Sequence, residues 1–140
     1  MESITNGQVF HTFQVMSNEL LGNASLLVCP SDNRTPSSDF GLGLANSNVS
    51  YFVGVDADET EPNLILSGDR NLTNGPLTST RLLVLTTNST PGWNDTMHNL
   101  VGNIAFADGS VQTLTIPQLR QATSNMVSSG SQFTNRLAFP

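Results

Sequence analysis

Residues 103–114 constrain the fold more than any other part of this 140-residue chain. Apolar residues 104–107 lead into Asp108-Gly109, and residues 110–114 form a second strand-like run. Asp-Gly is a favoured pair in a type I′ turn, where both central residues need positive φ. The segment therefore predicts an antiparallel β-hairpin with a type I′ turn at Asp108 and Gly109.

An amphipathic pattern near the N-terminus predicts a helix. Thr5 and Gln8 have the spacing of a capping box, and Gly22 suits the left-handed position that ends many helices. Four apolar side chains recur at the spacing of one helix face: Val9, Phe13, Met16 and Leu20. We therefore expect a helix over residues 5–22 whose apolar stripe packs against the rest of the chain.

The period changes from helical to strand-like over residues 25–115. Short apolar runs bounded by Asn, Asp, Gly and Pro are typical of strands, and they cover residues 25–29, 49–54, 63–67 and 81–86. A short C-terminal helix is predicted from Pro117 to about Val127, because Pro suits a first helical turn. The pattern predicts one α+β domain over residues 1–140, with the N-terminal amphipathic helix packed on an antiparallel β-sheet. Residues 116–140 are expected to form the second helix and a tail.

The charge balance limits the partners. The net charge is −6, and all five basic residues are Arg. Nucleic-acid binding depends on basic side chains that neutralise phosphates, and anionic membrane surfaces attract basic clusters in the same way. No such cluster occurs in the sequence, so we expect no nucleic-acid partner.

Several segments together resemble a known family. His98 is followed by nine residues and then by Asp108-Gly109, which resembles the signature H-x9-DG. Earlier segments also resemble the family, in its order: Cys29-Pro30-Ser31-Asp32, Tyr51-Phe52-Val53-Gly54 and Gly68-Asp69-Arg70-Asn71. The chain thus resembles the prepilin-type, processing-associated H-x9-DG proteins, which are similar to the pseudopilins of type II secretion.

The resemblance implies a pilin-like fold and an assembly role without enzymatic activity. It also implies a longer parent protein, with a prepilin leader and a hydrophobic helix in the inner membrane, and this sequence shows neither. We therefore expect the soluble domain alone, located in the periplasm or at the cell surface, with other pseudopilin or secretion-system subunits as partners. His98, Asp108 and Gly109 are then motif residues with a structural role.

One acidic segment is a candidate calcium site. Calcium takes six to eight oxygen ligands, and four carboxylates lie close together in the sequence: Asp56, Asp58, Glu59 and Glu61. A solvated acidic turn is the alternative interpretation. No other cofactor is predicted, because Cys29 and the two histidines lack the ligand spacing of a zinc site. Cys29 is expected to be a small buried hydrophobic residue.

Two further residues are candidates for an interface. Trp93 either marks an interface or covers the base of the hairpin. Arg70 either shapes a turn through a salt bridge or reaches a neighbouring subunit's carboxylate, with Asp69 orienting it. An alternative function is an extracellular calcium- or glycan-binding module that uses residues 56–61 and Trp93. A hydrolase based on His98 would need a nucleophile within hydrogen-bond reach at the floor of a cleft.

Overall fold

Strands dominate the regular structure of this chain after residue 50. The computed structural model describes residues 6–126 and 134–140. Two α-helices occur in these ranges, α1 (Phe10–Val15) and α2 (Ile116–Ser124). The strands in the same ranges are β1 (Tyr51–Gly54), β2 (Ile65–Asp69), β3 (Leu72–Thr73), β4 (Leu82–Leu85), β5 (Gly92–Trp93), β6 (Val101–Phe106), β7 (Val111–Thr115) and β8 (Asn135–Ala138). Short 3-10 helices at Ala24–Leu27 and Asn46–Asn48 precede β1.

Six of these strands form one antiparallel sheet in the order β4-β8-β1-β2-β6-β7. β3 and β5 form a separate antiparallel pair. This arrangement confirms the predicted α+β class and the antiparallel sheet. β8 extends the sheet beyond the predicted range of residues 25–115, because Leu137 pairs with Leu83 of β4 and Ala138 pairs with Val53 of β1.

The main core lies on one face of this sheet. Burial alternates along β6, where Ile104 and Phe106 are buried and their neighbours are only partly buried. These side chains form a cluster with Phe52 of β1, Leu137 of β8 and Leu119 of α2. Alternation with period two is what a strand shows when one of its faces packs against a helix.

The C-terminal helix is confirmed over residues 117–124. It begins after Thr115, whose backbone N–H donates to Oε1 of Gln118 at 2.9 Å. Pro117 lies in the first turn, where its missing N–H costs nothing. The predicted end at Val127 lies outside the described residues.

The predicted N-terminal helix over residues 5–22 is wrong. α1 ends at Val15, turns follow as far as Gly22, and residues 1–5 lie outside the described part of the chain. Val9 is buried and packs with Val53, but Met16 is 39% exposed, so the four-residue stripe does not form one buried face. The Ser- and Asn-containing segment after α1 favours turns over helix, and the N–H of Gly22 donates to the carbonyl of Ser17 at 2.8 Å. No helix in the described residues is long and apolar enough to cross a membrane.

The hairpin is confirmed, but its turn differs from the predicted type I′. β6 and β7 pair in antiparallel register, with Ala105 opposite Val111. The N–H of Gly109 donates to the carbonyl of Phe106 at 3.0 Å, and of the loop residues 107–109 Gly109 alone has positive φ, +83°. A three-residue loop with a left-handed Gly at its end is the other common hairpin solution. It needs glycine at one position only.

Gly109→Val should therefore destabilise the fold by about 1–2 kcal/mol, because a β-branched residue is strained at positive φ. A Cβ at this position would meet no atom within 4 Å, so the strain comes from the backbone conformation. Chemical denaturation measures the free energy of unfolding. Gly109→Asn is the control and should lose little, since Asn tolerates the left-handed region; equal losses for both variants would contradict this account.

Candidate functional site

A thiol, a carboxylate and an imidazole meet at one end of the sheet. His98 Nε2 lies 3.2 Å from Sγ of Cys29 and 3.4 Å from Oδ2 of Asp69. The three ligand atoms all lie within 4.8 Å of one another, and no other group of three or more His, Cys, Asp or Glu within residues 6–126 and 134–140 meets that distance. The same three residues line an open cavity of about 280 Å³. We call Cys29, Asp69 and His98 the Cys-Asp-His cluster.

β2 and β6 hold the carboxylate of this cluster. Asp69 is the last residue of β2 and is 1% exposed. Its Oδ2 accepts hydrogen bonds from the backbone N–H of Asn103 at 2.7 Å and from the side-chain amide of Asn103 at 2.9 Å. The preceding residue has to be small, because a Cβ at Gly68 would lie 2.7 Å from Cζ of Phe52. Gly68 thus allows the side chain of Phe52 to pack against the β2 backbone, and Asp69 directly after it places its carboxylate beside His98.

The thiol comes from the irregular segment before β1. Cys29 is buried, as expected, with 6% of its surface exposed. Its backbone N–H donates to Oγ of Ser50 at 3.0 Å, and the N–H of Ser50 donates to the carbonyl of Leu27 at 2.8 Å. The surroundings of the thiol are polar on the side of His98 and Asp69, so Cys29 is more than a hydrophobic filler.

The imidazole is carried by a strained turn. His98, Asn99 and Leu100 all have positive φ, at +52°, +51° and +66°. For His98 and Leu100 this conformation costs about 1–2 kcal/mol each, whereas Asn99 tolerates it better. Backbone strain of this kind persists only where the surrounding structure holds it, and it concentrates at functional sites.

The buried side chain of Asn71 stabilises this turn through hydrogen bonds. It is fully buried, and its side-chain amide lies within hydrogen-bond distance of three carbonyls, at 3.2 Å for Asn94, 2.9 Å for Met97 and 2.9 Å for Val101. These carbonyls lie on both sides of His98, so one amide fixes both ends of the turn.

An ion pair links the segment of Cys29 to the segment of Asp69. Arg70 donates from Nε to Oδ2 of Asp32 at 2.7 Å and from Nη2 to Oδ1 at 2.6 Å. Burial raises the pKa of Asp32, but hydrogen bonds from Arg70 and Ser50 outweigh it and lower this pKa to about 2. Of the two predicted roles for Arg70, the structure shows an internal salt bridge, and the partner of Arg70 in it is Asp32.

The remaining motif and interface residues lie elsewhere. Asp108 and Gly109 form the hairpin turn, and the carboxylate of Asp108 accepts from the N–H of Ser110 at 2.8 Å. Trp93 is 3% exposed, and a Cβ at Gly102 would lie 2.3 Å from its ring. Trp93 therefore packs over the base of the hairpin, the second of its two predicted roles, and presents no surface to a partner.

The acidic segment does not gather its carboxylates. Asp56 accepts hydrogen bonds from the backbone and guanidinium of Arg136, at 2.7 and 3.0 Å. Asp58 accepts from Thr60, and Glu59 is exposed. Glu61 belongs to no described group of three ligands within 4.8 Å. Calcium binding here stays a prediction, and the buried Trp93 gives the alternative of a glycan-binding module no support.

The geometry of the Cys-Asp-His cluster suits coordination better than nucleophilic catalysis. In a cysteine hydrolase one ring nitrogen faces the thiol while the other is oriented by a third group. Here the single atom Nε2 faces both Sγ of Cys29 and Oδ2 of Asp69. A shared cation or a shared proton fits between three converging donor atoms, whereas the relay of a hydrolase is not assembled.

Sequence reasoning missed this cluster because Cys29 and His98 are 69 residues apart. The available signal was the resemblance itself, since residues 29–32, residues 68–71 and His98 each belong to a segment that resembles the family. Comparison of the chain with protein-family models, curated proteins and solved structures finds no match in any of the three. Membership of the H-x9-DG family therefore stays a prediction from these segments.

Asn71→Ala should destabilise the fold by about 2–3 kcal/mol, because it leaves buried carbonyls without a donor. Hydrogen exchange of the amides over residues 94–101 should also become faster. Asn88→Ala removes an exposed amide in another loop and is the control. A loss in Asn71→Ala no larger than that in Asn88→Ala would contradict the holding role of Asn71.

The lowered pKa of Asp32 predicts a specific acid sensitivity. The folded pKa is about 2 and the ordinary value is 3.8, so this carboxylate stabilises the fold above pH 3.8 and the contribution is lost as the pH falls towards 2. Asp32→Asn should lower the free energy of unfolding at neutral pH by about 2 kcal/mol and flatten its pH dependence in that window. The exposed Asp95→Asn is the control; an unchanged pH dependence in Asp32→Asn would exclude this role.

Proposed function

We propose that this chain is the exported part of a pseudopilin-like subunit, which acts through contacts with neighbouring subunits of a type II secretion or type IV pilus-related assembly. One observation carries the proposal. Residues 29–32, residues 68–71 and His98, which lie far apart in the sequence, contact one another through the Asp32–Arg70 ion pair and the Cys-Asp-His cluster. Mutual contact supports the view that these segments form one unit, as a family motif would.

The proposal does not rest on the N-terminal helix, since α1 has only six residues. On this proposal the protein works in the periplasm or at the cell surface. A hydrophobic helix upstream in a parent protein would supply the membrane anchor, and secretion-system subunits would be the partners. No residue is assigned to chemistry.

Exposed apolar side chains support an assembly role. Four aliphatic side chains between α1 and residue 44 are more than half exposed: Val15, Leu21, Leu26 and Leu42. The amide of Gln14 donates to the carbonyls of Phe40 and Gly41 at 2.8 and 3.1 Å, which brings the chain next to Val15 close to the chain next to Leu42. We call these four residues the apolar cap.

A second copy of the chain suits this cap. Two molecules with a net charge of −6 repel each other over most of their surfaces. Glu19 is the one Asp, Glu, Lys or Arg of the sequence from 6 to 31, and Asp39 lies three residues before Leu42. Few acidic residues therefore lie near the cap, so repulsion is weaker there. Large exposed apolar patches on soluble proteins mark interaction sites.

Self-association should therefore depend on the cap. Leu42 is fully exposed, so Leu42→Asp leaves the core intact while it places a charge in the contact. Burial of a Leu side chain contributes about 1.5–3 kcal/mol, so the variant should weaken association about 10–100-fold. Sedimentation equilibrium over a wide range of concentrations measures this.

Leu77→Asp is the matched control, since Leu77 is a partly exposed leucine in a different loop. It should associate as the parent chain does. A parent chain that stays monomeric up to its solubility limit, or equal weakening in both variants, would contradict a contact through the cap.

A further inference from the structure

We propose that Cys29, Asp69 and His98 bind a divalent first-row transition-metal ion, with zinc as the best fit. This site is separate from the proposed assembly function, because the apolar cap contains none of its ligands. The sequence predicted no zinc, since spacing along the chain gave no ligand pattern. The fold supplies the pattern by bringing three separate segments together.

The donor set selects the metal. Zinc is bound in proteins by Cys sulfur, His nitrogen and Asp oxygen, usually in a tetrahedral arrangement. Calcium and magnesium take oxygen ligands almost alone. A site with one thiol, one imidazole and one carboxylate therefore favours zinc, or cobalt as its substitute, over either of these ions.

The two separations from His98 Nε2 are close to those of tetrahedral coordination. Bond lengths of about 2.3 Å to sulfur and about 2.1 Å to nitrogen and oxygen place sulfur and nitrogen about 3.6 Å apart, and nitrogen and oxygen about 3.4 Å apart. The observed separations from His98 Nε2 are 3.2 Å to Sγ of Cys29 and 3.4 Å to Oδ2 of Asp69. The third separation, between Sγ of Cys29 and the carboxylate of Asp69, is within 4.8 Å.

Each ligand is held independently. Asn103 orients the carboxylate of Asp69, as polar partners of metal ligands do. Ser50 anchors the backbone of Cys29, and Asn71 braces the left-handed turn of His98. The fold therefore positions the three ligands before any ion binds.

The site also has room for a fourth ligand. The cavity that the cluster lines has a volume of about 280 Å³, and Tyr51, Ser67 and Asn103 also line it. Three protein ligands and one accessible position are the pattern of zinc sites that hold water or an exchangeable ligand. We infer that the fourth ligand is water or a small donor from solution.

The test is a titration of the metal-free, reduced protein with zinc, followed by calorimetry, and with cobalt, followed by absorption. One zinc per chain should bind, and cobalt should give a sulfur-to-metal charge-transfer band. Cys29 is the sole cysteine of the sequence, so such a band reports on this site alone.

Cys29→Ser and His98→Gln should each lower zinc affinity at least about 100-fold, since loss of a ligand costs more than loss of a residue that orients one. His11→Gln is the matched control, because His11 is the other histidine and its ring contacts Gln14 of α1. It should bind zinc as the parent chain does. Circular dichroism confirms that each variant is folded.

Three results would overturn the proposal. The first is absence of stoichiometric zinc binding by the folded parent chain, which would leave His98 as a hydrogen-bonding bridge only. The second is a cobalt complex without the sulfur band. The third is affinity that falls in His11→Gln or Asp58→Asn but not in His98→Gln, which would place the ion elsewhere. Leu42→Asp tests assembly separately, so the two proposals can fail independently.

Discussion

The bidentate contact between Asp32 and Arg70 is the interaction on which the arrangement of this protein depends. Residues 6–50, the part of the N-terminal region that the structure describes, contain one six-residue helix and two short 3-10 helices, so regular structure does little to position them. Polar contacts with the sheet do this instead. Arg70 follows β2 directly, and Asp32 lies three residues after Cys29. This contact therefore fixes the position of the Cys29 thiol relative to the sheet.

Other polar contacts extend the same principle. Ser50 donates to Asp32 at 2.8 Å and accepts from the N–H of Cys29. Arg34 donates to the carbonyls of Asn46 and Val49, and its pKa is lowered to about 10 by burial and by the charge of Arg70. Buried polar groups of this kind are costly unless each finds a partner. Their mutual satisfaction favours one arrangement of the irregular segment over its alternatives.

The strained turn that carries His98 lines the same cavity as Cys29 and Asp69. A turn of three consecutive residues with positive φ would lose this conformation if the surrounding contacts were removed. Asn71, the residue before β3, supplies those contacts. The same turn aims one nitrogen of His98 at both Cys29 and Asp69. A subunit that assembles through an apolar cap and carries a bound ion at a separate cavity would use two independent surfaces of one fold.

Local chemistry made part of this structure predictable from the amino-acid sequence. The hairpin at residues 101–115 follows from apolar alternation around Asp108-Gly109, and the helix after Thr115 follows from Pro117 and the position of Gln118. Each feature depends on residues within about fifteen positions of one another, so the local sequence pattern indicates it. Two details were predicted wrongly. The hairpin loop has a single left-handed residue and is not a type I′ turn, and the N-terminal helix has six residues and does not span residues 5–22.

The rest required the folded chain, because it depends on partners distant in sequence. β8 pairs with β1 and β4, whose paired residues lie fifty or more positions earlier. The burial of Trp93 follows from the absence of a side chain at Gly102. The Cys-Asp-His cluster joins residues 29, 69 and 98, and no periodicity connects them. Sequence patterns indicate short-range hydrogen bonding and which face of a single helix or strand is apolar. A ligand set forms only when the folded sheet brings residues from separate segments together at one end of its strands.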